Sequence, residues 1–269
     1  MLVDRIIEAA EAKAKARVQT NKIGAHNVGR CVRQLWYQVH GVEAEPMQGR
    51  AMLVFDLGDR IEQALIHLLT EAGVEGLRAA DPEKDKVEVA EIGGRVIADL
   101  FFTANGREWP AECKSMSNFA FERAERGELD DSYLAQAEVY MRAYDVPWIP
   151  LIAYRKETSH LTEVIIKRDD SRWEMIKRNA AAAQGDTVPE RPYKLAVLCE
   201  GCHGSGRTPT GKQAHSACNG TGRMQGGPYL PSFPCGYCSW KDACWGATEQ
   251  VFDKNNRPKW RLAGVTEAA

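Results

Sequence analysis

"IADLFFTANGREWPAECKS", residues 97–115, decides how this chain is to be read. Asn105-Gly106 within it is a strong hairpin signal, because both residue types accept the positive φ of a two-residue type I′ turn. With those two as the loop, Ala104 faces Arg107, and the same register carried along the strands sets Asp99 opposite Glu112. Side chains alternate along a strand, so Glu112 and Lys114 share a face and Cys113 turns to the other. Two carboxylates and a lysine thus converge beside the apolar Val96, Ile97, Leu100 and Phe101. Like charges opposed across a sheet are unfavourable, and a divalent cation would remove that penalty. Magnesium suits the place, since it takes one or two carboxylates and keeps several waters, leaving room for a phosphate oxygen and an attacking water. Lys114 would position or deprotonate that water, or neutralise charge building on the phosphate. The plainer alternative is a solvent-facing hairpin of mixed charge, with Pro110 marking an edge strand of looser register.

Working outward, residues 1–18 and "LGDRIEQALIHLLTEAG" show helical spacing, the latter stopping at Gly73, so two helices are expected before any strand. Strand-like alternation runs from Val87 to Lys114. A long helix then follows in "DDSYLAQAEVYMRAYD", with Asp130, Asp131 or Ser132 as its cap. "WIPLIAYRKE" and "LTEVIIKR" read as strands and "SRWEMIKRNAAAAQG" as a helix ending at Gly185. The order is mixed, so the expected class is α/β or α+β. Glu62 lies on the helix before the sheet. Gln136 and Tyr140 lie one turn apart on one helix face, where they could contact phosphate or hold Lys114. Taken singly, each of these three reads more simply as a surface acid or a core residue.

Together, the order Glu62, Asp99, Glu112-x-Lys114, Gln136-x3-Tyr140 resembles the PD-(D/E)XK nuclease superfamily, in particular its RecB-like exonuclease branch. The resemblance implies a restriction-endonuclease-like core, a central mixed sheet flanked by helices. It makes Asp99 and Glu112 ligands of Mg2+ or Mn2+, with the Cys113 carbonyl a further candidate, and Lys114 the catalytic lysine. Glu62 falls where many RecB-like members carry histidine and others glutamate. His67 competes with it as third ligand, but a lone histidine on an apolar helix face is more often a core residue, so Glu62 is preferred.

Eight cysteines in a chain without disulfide context suggest metal ligands. Cys235-x2-Cys238-x5-Cys244 supplies three thiolates, one short of a tetrahedral set. Cys31, in "NVGRCVRQLWYQVHG", resembles the early cysteine that AddB-type and CRISPR-associated nucleases pair with a late trio to hold a 4Fe-4S cluster. Arg30 and Arg33 beside it are candidates for touching the DNA backbone. The alternative is zinc on the trio with Cys31 merely buried, since thiolates alone do not separate iron-sulfur from zinc. Between these, Cys199-x2-Cys202 and His215-x2-Cys218 repeat a Cys-x-Gly-x-Gly pattern that resembles one zinc unit of the DnaJ cysteine-rich domain, with His215 where that family has cysteine. A closed structural Cys3His zinc site is expected, His203 occupying a variable position of the pattern. Arg207, Lys212 and Arg223 permit a DNA or protein contact without requiring one.

Length and composition bound this reading. The 269 residues suffice for one large domain or two small ones. With 35 basic and 37 acidic side chains the net charge is -2, so attraction for nucleic acid must come from local patches. No apolar run is long enough for a signal peptide or a spanning segment, which points to the cytoplasm and away from membranes. The expected organisation is an N-terminal helix (1–18), a nuclease core (19–195), a zinc-knuckle insertion (196–226), an iron-sulfur loop closing onto Cys31 (227–250) and a tail (251–269). The expected function is a metal-dependent DNA exonuclease acting on single strands or duplex ends, with recombination, repair or spacer processing as settings and proteins of those processes as possible partners. A nucleic-acid-binding accessory with a degenerate site is the second reading. A DnaJ-like co-factor is excluded, because it needs two zinc units and a His-Pro-Asp helical segment.

Overall fold

The computed structural model describes residues 1–198, 213–214, 223–225, 227–231, 234–252 and 258–265. The chain divides into one unit of Met1–Val42 with Pro46–Val188 and a second of Glu43–Glu45 with Pro189–Ala269.

In the first unit three helices precede the sheet: α1 (Leu2–Ala16), α2 (Val32–Val39) and α3 (Gly49–Glu71). The expectation of two is corrected by α2, which spans only 8 residues, too few for helical periodicity to register. Cys31 is its N-cap residue, and its Leu35, Tyr37 and Gln38 are buried. α3 starts at Gly49, well before the expected Leu57, and the chain turns out of it at Gly73, whose φ is 74°.

A sheet of five strands follows in the order β1-β4-β5-β6-β7. These are β1 (Arg78–Ala79), β4 (Leu100–Ala104), β5 (Arg107–Met116), β6 (Trp148–Arg155) and β7 (Leu161–Lys167), while β2 (Val87–Val89) and β3 (Gly94–Val96) make a small separate ladder. A short 3-10 turn at Ala90–Ile92 breaks the continuous strand expected from Val87. β5 and β6 are parallel and the other pairs in the large sheet antiparallel, so the sheet is mixed. A parallel pair needs a crossover, and α4 (Asn118–Glu125) with α5 (Asp131–Ala143) provides it. α4 was not expected from sequence. Asp130 caps α5, its Oδ1 accepting the Ser132 N–H at 2.9 Å, and α6 (Asp170–Gln184) ends at Gly185 as expected.

The hairpin register is the expected one, Ala104 facing Arg107 and Leu100 facing Ala111, with Asn105 at φ 53° and Gly106 at φ 70° in the turn. Pro110 does not make β5 an edge strand. Hydrogen-bonded and non-hydrogen-bonded pairs alternate in an antiparallel ladder, so Pro110, opposite Phe101, falls in a non-bonded pair. Its missing N–H would point to the side that β6 joins only from Glu112 onward.

The two faces of β5 have different neighbours. Ala111 and Cys113 pack with Leu65 of α3 and with Leu100 in a small apolar cluster. Glu112 and Lys114 lie beside Leu151 and Ala153, on the face where Val139, Tyr140 and Met141 of α5 build the main core with Phe121, Ile149 and Ile176. Glu138, fully buried on α5, ties that helix to α6. Its carboxylate accepts from Arg142 (2.8 Å), Arg172 (3.2 Å) and the Asp169 N–H (2.9 Å).

The second unit contains β8 (Ala196–Leu198) paired with β9 (Arg223–Gln225), α7 (Lys241–Trp245), and the hairpin β10 (Thr248–Phe252) with β11 (Pro258–Leu262). Residues 251–269, expected as a tail, therefore include, among those described, the end of β10 and the whole of β11. Glu45 is held here: its N–H donates to the Ser239 carbonyl at 2.7 Å and its carboxylate pairs with Lys241.

Candidate active site

Asp99 stands one residue beyond the last rung of the β4–β5 ladder. Along β5 the N–H groups alternate in direction, so that of Cys113 points to the side where β4 has already ended. The Asp99 side chain takes its place, Oδ2 accepting this N–H at 2.8 Å. The carboxyl groups of Asp99 and Glu112 consequently lie near enough to interact directly. Glu112 is 1% exposed, which overturns the solvent-facing reading of the hairpin. Lys114 forms an ion pair with Glu112, while Glu112 Oε2 is buried without a hydrogen-bond partner.

The electrostatics show a site short of positive charge. Burial, then the negative charge of Asp99, pushes Glu112 up from 4.5 to about 8 despite Lys114. Burial, then Asp99 and Asp59, raises Glu62 to about 7. Asp99 is also raised, by burial, against the pull of Lys114 and the Cys113 N–H. Burial works to lower Lys114, but Glu112 and Asp99 outweigh it and keep the ammonium charged.

Such a set is one that a divalent cation would suit. The unpartnered Glu112 oxygen and the crowded acids are what a hard, oxygen-seeking ion would relieve. Among the described residues no group of three or more His, Cys, Asp or Glu side chains could hold a metal by itself. An ion would therefore rest on Asp99 and Glu112 and be completed by water or substrate. Glu62 stands within electrostatic reach of Asp99 without joining such a group. The competing His67 is exposed and sits 3.5 Å from Glu71, so it is not a core residue. Cys113 packs its buried thiol beneath α3, away from the Glu112 face, as expected.

Gln136 and Tyr140 are both buried, the Gln136 amide donating to the Tyr140 hydroxyl at 2.9 Å. Burial, then Glu112 and Asp99, holds the Tyr140 proton in place, so that hydroxyl remains a donor beside the carboxylates. Two residues near the site were missed in sequence. Tyr133, one turn before Gln136 on the same helix face, places its ring centroid 5.7 Å from Lys114 Nζ, and the helical spacing alone could have found it. His26 lies within charge reach of Lys114, but no local pattern marks it.

The cysteine expectations fare differently. Cys31 belongs to the first unit, whereas Cys235, Cys238 and Cys244 belong to the second, where Cys235 is buried and the other two are partly exposed. The three late cysteines do not form a three-ligand metal group, so the geometry adds no support to the cluster. Cys199, Cys202, His215 and Cys218 lie outside the described residues, as do His203, Arg207 and Lys212. Arg30 is exposed, and Arg33 donates from Nε to the Tyr37 hydroxyl at 3.2 Å. Among the described residues no helix is long and apolar enough to cross a membrane.

No family model and no curated protein matches the chain. Among solved structures it is similar to a protein designated SSO0001, at 15% identity and TM-score 0.45 over 72% of this chain and 90% of that one. It is similar to an alkaline exonuclease from Laribacter hongkongensis, at 17% identity and TM-score 0.43 over 65% of this chain and 90% of that one. A phage-related exonuclease from Haemophilus somnus 129PT matches at 18% identity and TM-score 0.39, over 57% and 77%. At these identities and scores the similarities carry no weight for function, and the assignment rests on this chain's own residues.

Proposed function

We propose that this protein is a divalent-metal-dependent DNA exonuclease of PD-(D/E)XK type, with the RecB-like branch as its relation, hydrolysing phosphodiester bonds in single strands or at duplex ends. One observation supports this most: buried Glu112 meets half-buried Asp99 beside Lys114, with a Glu112 oxygen left unpartnered. A structural ion pair would need one acid for one lysine, whereas here a second and a third carboxylate crowd the same ammonium.

Asp99 and Glu112 would hold Mg2+ or Mn2+, the Cys113 carbonyl and Glu62 being candidate additional ligands, and the ion would supply Lewis acidity toward a phosphate oxygen. Lys114 keeps its charge and so is suited to stabilise negative charge developing on the phosphate. Tyr140, held by Gln136, offers its proton to the same region. The second reading, an accessory with a degenerate site, is disfavoured because the acids, lysine, glutamine and tyrosine are all present, with Glu112, Gln136 and Tyr140 buried and Lys114, Asp99 and Glu62 half-buried.

A 4Fe-4S cluster on Cys31, Cys235, Cys238 and Cys244, and zinc on Cys199, Cys202, His215 and Cys218, belong to this reading and are supported by spacing and resemblance alone. So do the nuclease core at 19–195, the knuckle at 196–226, the cytoplasmic setting and partners in recombination, repair or spacer processing. Iron and zinc analysis of anaerobically purified protein tests the metals; colourless protein with zinc and no iron counts against the cluster. For the activity, end-labelled single- and double-stranded DNA is incubated with Mg2+ or Mn2+ beside Lys114→Ala. Divalent-dependent shortening by wild type alone is expected; no shortening, or equal shortening by the variant, contradicts the proposal.

A further inference from the structure

Residues 12–42 contain 6 Lys or Arg and 2 His but no Asp or Glu, in a chain whose net charge is -2. So long an acid-free run in a balanced composition is a sequence in which a local patch of the kind a polyanion requires could form, although Lys13 within it pairs with Asp56 at 3.1 Å.

The fold brings part of this run to the active site. Gly24 to Val28 form a turn whose backbone is fixed by Asn27, 1% exposed, with its side chain bonded to the Gly24 N–H (2.8 Å), the Lys22 carbonyl (3.3 Å) and Gln38 (3.1 Å). Gly29 packs so closely on α5 that a Cβ there would come within 2.7 Å of the Ser132 Cα. The turn is thereby pinned to the helix that carries Tyr133 and Gln136. Its neighbours Ala25 and Asn27 are buried, yet His26 reaches the surface. The His26 proton is disfavoured first by partial desolvation and then by the charges of Arg30, Arg17 and Lys114, so all three cations lie within charge reach of its imidazole. Arg17 is braced 5.4 Å over the ring of Phe55. Phe55 and Glu62 are two turns apart on one face of α3, which sets that ring roughly 10 Å from Glu62 along the helix, about three nucleotides of strand rise.

We propose that Arg17, His26 and Arg30 form a track that grips backbone phosphates of a DNA single strand on its way to the Asp99–Glu112–Lys114 site. This rests on the nuclease reading above. Phosphate oxygens accept hydrogen bonds from both guanidinium groups and from the imidazole, and their charge relieves the mutual repulsion of the cations. Sequence preference is absent from such a contact, since only the backbone is read.

The test is fluorescence anisotropy of a labelled single-stranded oligonucleotide of about 20 nucleotides in EDTA, across a KCl series, with a duplex of the same sequence in parallel. Each phosphate contact contributes a slope of about 0.7 in log K against log salt for single strands, so Arg17→Gln/Arg30→Gln should lower the slope by about 1.4. His26→Ala should weaken single-strand binding several-fold. Lys84→Gln, whose ammonium pairs with Asp81 at 3.2 Å, should bind as wild type. A double variant with wild-type slope and affinity, or one weakened only on duplex, overturns the track even where wild type degrades DNA. Wild type that binds single strands with the expected slope but degrades no DNA with Mg2+ or Mn2+ overturns the nuclease reading instead.

Discussion

The Asp99 carboxylate accepts the Cys113 backbone N–H at 2.8 Å, taking over where the β4–β5 ladder ends. One side chain thus closes the strand pairing and brings a second acid to Glu112, so its two roles separate by substitution. Asp99→Asn keeps an acceptor for the N–H and removes the charge. Its melting temperature in EDTA at pH 8 should equal or exceed that of wild type, with DNA degradation down by on the order of 100-fold or more. Asp99→Ala should lose activity equally and also about 1–3 kcal/mol of stability, through the orphaned N–H. An active Asp99→Asn would contradict this role.

The raised carboxyl groups make the metal-free protein sensitive to base. A carboxyl whose folded pKa exceeds its unfolded value binds more protons folded than unfolded, so its contribution is present at low pH and lost as pH rises through the folded value. Glu112 at about 8 and Glu62 at about 7, against 4.5 for both unfolded, place the loss between about pH 4.5 and 8. In EDTA the melting temperature should fall by on the order of 5 °C between pH 5.5 and 8.5, and by less in Glu112→Gln. Mg2+ should restore it at pH 8.5. A wild-type decline that Glu112→Gln leaves unchanged would place its origin elsewhere.

Tyr133 offers Lys114 an aromatic face at 5.7 Å. Tyr133→Phe retains that face and should keep wild-type kcat within about two-fold, whereas Tyr133→Leu should lower kcat about ten-fold with little change in KM. Steady-state digestion of a fluorescent oligonucleotide reads both constants. Equal kinetics for the two variants would remove Tyr133 from a positioning role.

Glu138 serves the scaffold rather than the chemistry. Removing it leaves Arg142 and Arg172 without their buried partner, so Glu138→Ala should cost about 3–5 kcal/mol in urea unfolding. A loss below about 1 kcal/mol would show that the α5–α6 junction does not depend on it.

The hairpin and its consequences were legible because Asn105-Gly106 fixes a register within six residues of the site. That register foretold the meeting of Asp99 with Glu112, though not the bend by which Asp99 reaches past the ladder. Gln136 and Tyr140 were legible as a helix pair, but spacing on a helix face does not tell whether two side chains bind each other, as these do, or a ligand. His26 was illegible: its significance comes from Arg17, Arg30 and Lys114, which only the fold assembles around it. α2 and α4 were missed because 8 residues give too short a window for periodicity. His67 was misjudged as a core candidate because α3 exposes apolar residues too, Leu68 among them, so an apolar neighbourhood in sequence did not mean burial.

If Asp99, Glu112 and Lys114 hydrolyse phosphodiester bonds, the new phosphate takes its oxygen from water. Digestion of DNA in 18O-enriched water, with mass spectrometry of the released nucleotides, tests it most directly. Each newly formed phosphate should carry one 18O, dependent on Mg2+ or Mn2+ and abolished in Glu112→Gln. Nucleotides released without 18O, or labelled equally by Glu112→Gln, would contradict it.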